Sequence, residues 1–468
     1  MKEACGVAAI ATREKAASYL RLILNGVQHR GQEAAGIAFF DEEKKKIEHI
    51  KGLGLVESVF SGIDLETICA CNGIGHVYYT INLSTPGNAQ PHLIRTTEGD
   101  LAIAHNGIIT NSAKLRDDLM RRGHVYSAAA TEEESMAYLL AEGFKESGSI
   151  IKALKHLARQ VEGSYALVMM FEDRVFALRD PLGLKPLCIG KMQNGGGYAV
   201  ASESTGLDIM GAELIRDVAP GEAVELTADG FKSHVIADEK HKGYCFFEHV
   251  YFARSDSIMD GREVYESRKR IGWRLSKEHP VEADVVVPVP DSGRAHAYGF
   301  SLGSGIKIEE GLMKNRYVTR TFIMPTQKLR ETSVRLKLNP VKGVIAGKRV
   351  VLVDDSIIRG TTMRKIVAMV RQAGAAEVHV RIGSPPVCAP CYLGIDMTDR
   401  EQLIAGSRSV EEIRLEIGAD SLGYISIGGL VEALGFDGKD LCLGCVTAEY
   451  PVNIPGEKHR HQKSIYNF

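Results

Sequence analysis

The stretch Val350-Val-Leu-Val-Asp354-Asp355-Ser356-Ile-Ile-Arg359-Gly360-Thr361-Thr362 constrains the fold more than any other part of the chain. Its continuous apolar run reads as a strand covered on both faces, as in a parallel sheet with crossover helices. The strand ends in two acids, and a short loop rich in Ser, Gly and Thr then opens a helix over Met363–Arg371. Backbone N–H groups and the positive helix end would converge there on a phosphate, with hydroxyls and Arg359 as further donors. A solvated acidic pair with a capping Ser/Thr cluster would explain Asp355 and Thr361. It would not explain paired acids directly beside a phosphate-type loop.

The rest of the chain gives this strand a partner domain. At 468 residues, two or three domains are expected at roughly 100 to 200 residues each, with two as the working count. Val285-Val-Val-Pro-Val-Pro repeats the buried-strand pattern in the second half. The first half instead carries short strands separated by turn residues, at Gly6–Ile10, Ala35–Phe40, Gly73–Val77, Leu101–Ala104 and Tyr165–Phe171, with helical periodicity at Ala16–Leu24 and Glu133–Leu140. A charged run, Ala237-Asp-Glu-Lys-His-Lys242, marks the boundary.

Lys and Arg total 57 against 59 Asp and Glu, which argues against a global pull toward nucleic acid or membrane. No apolar run approaches the ~18 residues of a membrane span, and the first residues are too quickly polar for a secretory signal, so a cytoplasmic address is expected. One local exception stands out. From Lys314 through Arg316 to Lys337 there are seven Lys or Arg and one acid, Glu331. A solvated basic loop is the commoner meaning of such a run, but this one lies between two candidate phosphate loops and reads as an anion funnel.

The 350–362 stretch resembles the substrate motif of type I phosphoribosyltransferases, and Pro288-Val-Pro-Asp-Ser292-Gly293 resembles their second magnesium and pyrophosphate loop. The resemblance implies that Asp354 and Asp355 engage ribose hydroxyls and Mg2+ with Ser292. It also implies that Ser356, Arg359, Gly360, Thr361 and Thr362 hold phosphate, and that Lys314 and Arg316 belong to a loop closing over phosphoribosyl pyrophosphate (PRPP).

Cys5-Gly-Val, Gln28-His-Arg30-Gly-Gln-Glu and Ala104-His-Asn106-Gly107 resemble, in order and separation, the N-terminal-nucleophile glutaminase domain of the amidophosphoribosyltransferase family. That resemblance makes Met1 to Ala4 a propeptide and Cys5 the nucleophile, with its freed α-amine as general base. Asn106 and the Gly107 amide become the oxyanion hole, with Arg30 ordering the site.

Two positions depart from the family. Its Gly-His-Val-Arg-Tyr motif reads Gly75-His-Val-Tyr78-Tyr79, and no Lys or Arg lies between Lys51 and Arg95. Its Asp for the glutamine α-amino group falls on Glu132 or its neighbours in Thr131-Glu-Glu-Glu134, one methylene longer. Loss of a charge-assisted partner costs ~1.5 to 3 kcal/mol, so the expectation is either poor use of glutamine beside good use of ammonia, or a rearranged head-group pocket.

Nine cysteines are an odd number for a disulfide framework. The pairs Cys388–Cys391 and Cys442–Cys445 leave zinc open, although their separation exceeds that of a compact zinc ribbon. The resemblance points to the family's iron-sulfur branch, with Cys245, Cys391, Cys442 and Cys445 holding a 4Fe-4S cluster of structural role. Cys388 is then a bystander, and Cys69, Cys71 and Cys188 are expected in the core.

The sequence is thus expected to fold as an α+β N-terminal-nucleophile glutaminase domain, a layered α/β/β/α sandwich over 5–238, followed by an α/β type I phosphoribosyltransferase domain over 239–468. The implied activity is transfer of amide nitrogen from glutamine, or of ammonia, to PRPP, opening purine synthesis. Purine nucleotide inhibitors and a homo-oligomer are implied; nucleic acid and membrane are not. The alternatives are an ammonia-dependent paralogue with a degenerate glutaminase site and a non-catalytic nucleotide sensor.

Overall fold

The computed structural model describes residues 5–79, 89–127, 130–193, 196–238, 241–315, 338–397 and 399–456. The proposed propeptide, Arg316 and nearly all of the basic loop lie outside them.

Alternation of small and β-branched residues lets the first half stack two antiparallel sheets face to face. One contains β1 (Gly6–Thr12), β2 (Ala34–Asp41), β3 (Lys46–Leu53), β4 (Asn72–Tyr78), β9 (Cys188–Met192), β10 (Gly197–Ala201) and β11 (Ala212–Asp217), in the order β11-β9-β10-β1-β4-β2-β3. The other contains β5 (His92–Thr96), β6 (Gly99–Ile109), β7 (Gly163–Phe171), β8 (Arg174–Arg179), β12 (Glu222–Thr227) and β13 (Gly230–Val235), in the order β13-β12-β8-β7-β6-β5. Val7, Ala9, Ala38, Ile74, Ala102, Ala104, Ala166 and Val168 fill the space between them. The alanines keep the two layers close.

Each outer face is covered by a helix. Helix α1 (Ala16–Gly26) packs Leu20, Ile23 and Leu24 against the first sheet, and α2 (Glu132–Ser147) packs Met136, Leu139 and Leu140 against the second. The start of α2 is fixed by a capping box in which Thr131 and Glu134 bond each other's backbone N–H. This is the α/β/β/α order expected from the sequence.

The second half is a parallel sheet ordered β14-β15-β16-β17, from Val285–Pro288, Arg349–Asp354, Glu377–Ile382 and Ser421–Tyr424. Val350, Val351, Leu352 and Val353 are fully buried, as their unbroken apolar run required. Helix α3 (Gly293–Ser304) follows β14 and α4 (Thr361–Gln372) follows β15, so both candidate phosphate loops open at the carboxyl ends of adjacent strands. Tyr244–Cys245 pairs in parallel with Leu441–Cys442, fastening the end of the chain to the beginning of this half. Among the described residues no helix is long and apolar enough to cross a membrane.

Candidate active site

The carboxyl ends of β14 and β15 open into a cleft of about 390 Å³ lined by Ser292, Asp354, Asp355, Ser356, Arg359, Gly360, Thr361 and Thr362. Eight residues singled out from the sequence thus share one wall. Gly293 permits this closeness, since a Cβ there would lie 2.5 Å from the Val353 carbonyl oxygen. Ser356 Oγ donates to Asp355 Oδ1 at 2.5 Å, and the Asp355 N–H donates to Asp354 Oδ1 at 2.9 Å.

Burial raises the pKa of both carboxyls, and for Asp354 the adjacent Asp355 adds to the shift. The buried Arg268 guanidinium opposes it at Asp355. Arg268 itself is occupied by the carbonyls of His249 and Ala253 and by Ser255 Oγ. A buried Asp355 beside a half-buried Asp354, with hydroxyls next to them and room in front, fits a divalent cation and a phosphorylated sugar.

The structure departs from expectation at Lys314, which pairs with Asp291 and does not line the cleft. The sequence did not single out Asp396, Met397, Asp399 and Gln402, which close its far side. They stand about 40 residues beyond the motif, without a recognisable pattern of their own.

The second site lies at one end of the sandwich. Cys5 precedes β1, its Sγ donates to the Tyr79 carbonyl at 3.8 Å, and burial pushes its thiol up to about 12. Such a thiol needs a base. His76 is no candidate, because burial lowers it to about 3 and keeps it neutral.

Asn106 is fully buried, and neither its Nδ2 nor its Oδ1 has a hydrogen-bond partner among the described residues. Buried amides are normally satisfied, so this one is poised for a ligand oxygen. Gly107 holds φ at +149°, and a Cβ there would meet the Ser164 carbonyl oxygen at 2.0 Å. Only glycine fits.

Arg30 orders this centre in a way the sequence only half revealed. Its Nε donates to the Cys5 carbonyl at 3.2 Å; its other nitrogens engage Glu203 and, at 2.7 and 3.1 Å, Glu248. Glu203 belongs to the sandwich, but Glu248 comes from the second half, three residues after Cys245. Burial works against ionisation of Glu203, yet His29 and Arg30 hold its pKa below the usual range. Nothing local in the sequence marked either glutamate.

The head-group positions separate. Glu132 lines a cavity of about 470 Å³ with Ile108, Thr110, Ser112 and Tyr392. Its Oε2 accepts from the Ile109 N–H and lies 3.2 Å from His105 Nε2. Tyr78 does not line that cavity; it ends β4 opposite Ala34. His105 also pairs with Glu133 at 2.9 Å, and despite burial these acids raise it to about 10.

Cys245, Cys391, Cys442 and Cys445 converge on one apolar cavity with Leu184, Phe247, Leu393, Ile395, Met397 and Tyr450. Cys388 stays outside, its Sγ donating to the Val446 carbonyl at 3.3 Å. Burial lifts the thiols of Cys245, Cys442 and Cys445, to about 12 for Cys245. Among the described residues no three His, Cys, Asp or Glu side chains stand close enough to grip one metal ion. Four thiols around one cavity are the donor type that a zinc or iron-sulfur centre uses. The expectation for Cys69 and Cys71 needs correction: Cys69 is exposed and Cys71 half-buried at the start of β4, and only Cys188 is a core residue.

One segment joins these places. Cys391 borders the cysteine cavity, Tyr392 the Glu132 cavity, and Asp396 the acidic cleft. Between them the Leu393 carbonyl accepts from Ser164 Oγ at 2.9 Å, across from Gly107.

Comparison with known proteins agrees with this division. A glutamine amidotransferase domain family matches residues 76–208, and a phosphoribosyl transferase domain family matches residues 255–382. An amidophosphoribosyltransferase of Archaeoglobus fulgidus is 49% identical, covering 93% of this chain and 94% of that protein. One from Methanocaldococcus jannaschii is 47% identical, covering 97% and 99%. Among solved structures, the glutamine PRPP amidotransferase of Bacillus subtilis complexed with ADP and GMP superposes with a TM-score of 0.89 at 43% identity, covering 97% of this chain and 99% of that one.

Proposed function

The chain belongs to the amidophosphoribosyltransferase family, and from that premise we propose how its residues divide the reaction. The enzyme forms phosphoribosylamine from PRPP and glutamine, the first step of purine synthesis. The observation that carries the reading is the single cleft shared by Ser292, Asp354, Asp355 and the 356–362 loop. With relatives of this identity over nearly the whole length, the ammonia-dependent paralogue and the sensor are not carried forward.

In the glutaminase domain, proposed to span 5–238 after removal of residues 1–4, the free α-amine of Cys5 takes the thiol proton. The thiolate attacks the glutamine amide carbon, and Asn106 and the Gly107 N–H receive the developing oxyanion. Collapse to a thioester releases ammonia; water then frees glutamate and restores the thiol. Arg30, clamped by Glu203 and Glu248, holds the Cys5 carbonyl and so orients the nucleophile.

In the transferase domain, proposed to span 239–468, Ser356, Arg359, Gly360, Thr361 and Thr362 bind phosphate, and Asp354 and Asp355 orient the ribose. Ammonia attacks C1 as pyrophosphate leaves. Asp354, Asp355 and Ser292 would hold Mg2+, which neutralises charge on the departing pyrophosphate. Lys314 and Arg316 act from the closing loop, which requires Lys314 to exchange Asp291 for substrate.

The head-group pocket is rearranged. Glutamine's α-amino group meets the Glu132 carboxylate; Tyr78 stands outside the Glu132 cavity, so to donate to the α-carboxylate in place of an arginine ion pair its phenol has to turn toward the bound ligand. The four converging cysteines favour a 4Fe-4S cluster in a structural role. Inhibition by purine nucleotides is proposed from the relative solved with ADP and GMP, together with homo-oligomerisation and a cytoplasmic location.

The test is PRPP-dependent pyrophosphate release by protein purified without oxygen, with glutamine and separately with ammonia. Activity with both is expected. Activity with ammonia alone would sink the proposed head-group pocket, and activity with neither would sink the transferase assignment.

A further inference from the structure

Three long cationic side chains lie fully buried near the domain junction with visible partners. Arg30 holds two carboxylates, Arg179 holds Asp260, and Arg268 is ringed by carbonyls. Lys185 is the exception. It is 1% exposed, yet among the described residues it forms no ion pair with a carboxylate. Its backbone is pinned, the N–H donating to Asp180 Oδ2 at 3.1 Å and the carbonyl accepting from Arg179 Nε at 2.8 Å. A lysine this deep in the protein with no carboxylate paired to it is costly to keep charged unless an opposing charge lies nearby.

Its surroundings indicate what would compensate it. Gly394, with φ at +98°, lies against the end of the side chain: a Cβ there would be 2.8 Å from Lys185 Nζ and 3.4 Å from Gly107 Cα. Gly394 belongs to the segment that carries Cys391, and Leu184, the preceding residue in the chain, lines the cysteine cavity. The end of the Lys185 side chain and Gly107 thus both lie against Gly394, whose neighbour Leu393 lines the cysteine cavity, and a positive charge there favours the thiolate forms of Cys5, Cys245 and Cys442. Four thiolates around an iron-sulfur core leave a net negative charge.

We infer that Lys185 is the counter-charge shared by the cysteine cavity and the glutaminase centre: its ammonium offsets the anionic, cluster-loaded cysteine set and, held there, keeps the Gly394 backbone packed against Gly107 beside the nucleophile. Lys185 is a positioning residue, and its role rests on the cluster reading given above. Iron, sulfide and glutaminase function are coupled through one side chain.

Wild type, Lys185→Met and Lys185→Arg would be purified without oxygen and assayed first for iron and acid-labile sulfide. A wild type free of both would overturn the cluster reading itself. With cluster present, stepwise reduction by dithionite, which supplies one electron per cluster, is followed by absorbance and electron paramagnetic resonance. Without the cation the anionic cluster is harder to reduce, so Lys185→Met should show a more negative midpoint potential, with Lys185→Arg restored toward wild type.

Glutamine turnover should fall in Lys185→Met and return in Lys185→Arg. If Lys185→Met loses cluster on handling, its bleaching rate in air should exceed that of Lys185→Arg. Equal potentials, bleaching rates and glutamine turnover in wild type and Lys185→Met would overturn the inference. So would a Lys185→Arg variant as impaired as Lys185→Met, which would show that shape and not charge matters.

Discussion

The transferase cleft and the glutaminase centre are built on opposite plans. The cleft is open, and most of its polar wall comes from one strand, one loop and one helix start within the second domain. The glutaminase centre is not completed by its own domain: Arg30 needs Glu248, and Ser164 beside Gly107 needs the Leu393 carbonyl. A reaction that must admit a large anionic sugar needs an open door. One that must deliver ammonia without losing it to solvent gains from walls supplied by the acceptor domain.

Separate perturbation of the two regions gives the largest effects. Cys5→Ala should reduce glutamine-dependent product formation by about 10⁴-fold or more while sparing the ammonia-dependent reaction; Asp355→Asn should lower both by ~10² to 10³-fold. Steady-state assays with each nitrogen source decide this, and equal losses in Cys5→Ala would break the division. Asn106→Ala should cost ~10² to 10³-fold with glutamine only.

Glu248→Gln probes the shared wall. Removing one partner of a buried ion pair costs roughly 3–5 kcal/mol, here tempered by Glu203, so chemical denaturation should register the loss together with a drop in glutamine turnover. Unchanged glutamine kinetics would mean that the second domain is not needed for the glutaminase centre. Tyr78→Phe should raise the glutamine KM by about ten- to a hundredfold, a loss of ~1.5–3 kcal/mol, with the PRPP KM unaffected. An unchanged glutamine KM would exclude the phenol from the head-group pocket.

The smallest effect is a pH dependence. His105 is raised to about 10, so its protonation stabilises the folded state fully below its unfolded value near 6.5. That stability is lost as pH rises through about 10. Thermal midpoints should therefore fall across this window, and Glu133→Gln should flatten the slope; parallel profiles would exclude the pair as the source.

The transferase cleft was legible in the sequence because local chemistry defines it: Asp354 through Thr362 are contiguous, and so are the spacing rules for strand, loop and helix start. Cys5, Arg30 and Asn106 were legible only through resemblance, since each is far from the others in sequence. Glu203, Glu248, Lys185 and Leu393 were illegible. A buried glutamate that pairs with an arginine 218 residues away has no local signature, and a surface glutamate looks the same in a sequence. The four cysteines fell between these cases: resemblance assigned them, and the shared cavity of Cys245, Cys391, Cys442 and Cys445 then supported that set over the two C-x-x-C pairs.

The parallel pairing of Tyr244–Cys245 with Leu441–Cys442 sets an order on birth as well as on structure. As the chain leaves the ribosome, the sandwich with its cysteine emerges well before Leu393 and the last two thiols are synthesised. The newborn glutaminase therefore lacks the wall that the acceptor domain will lend it. The contact behind Ser164 forms only once Leu393, 229 residues further along, has been made.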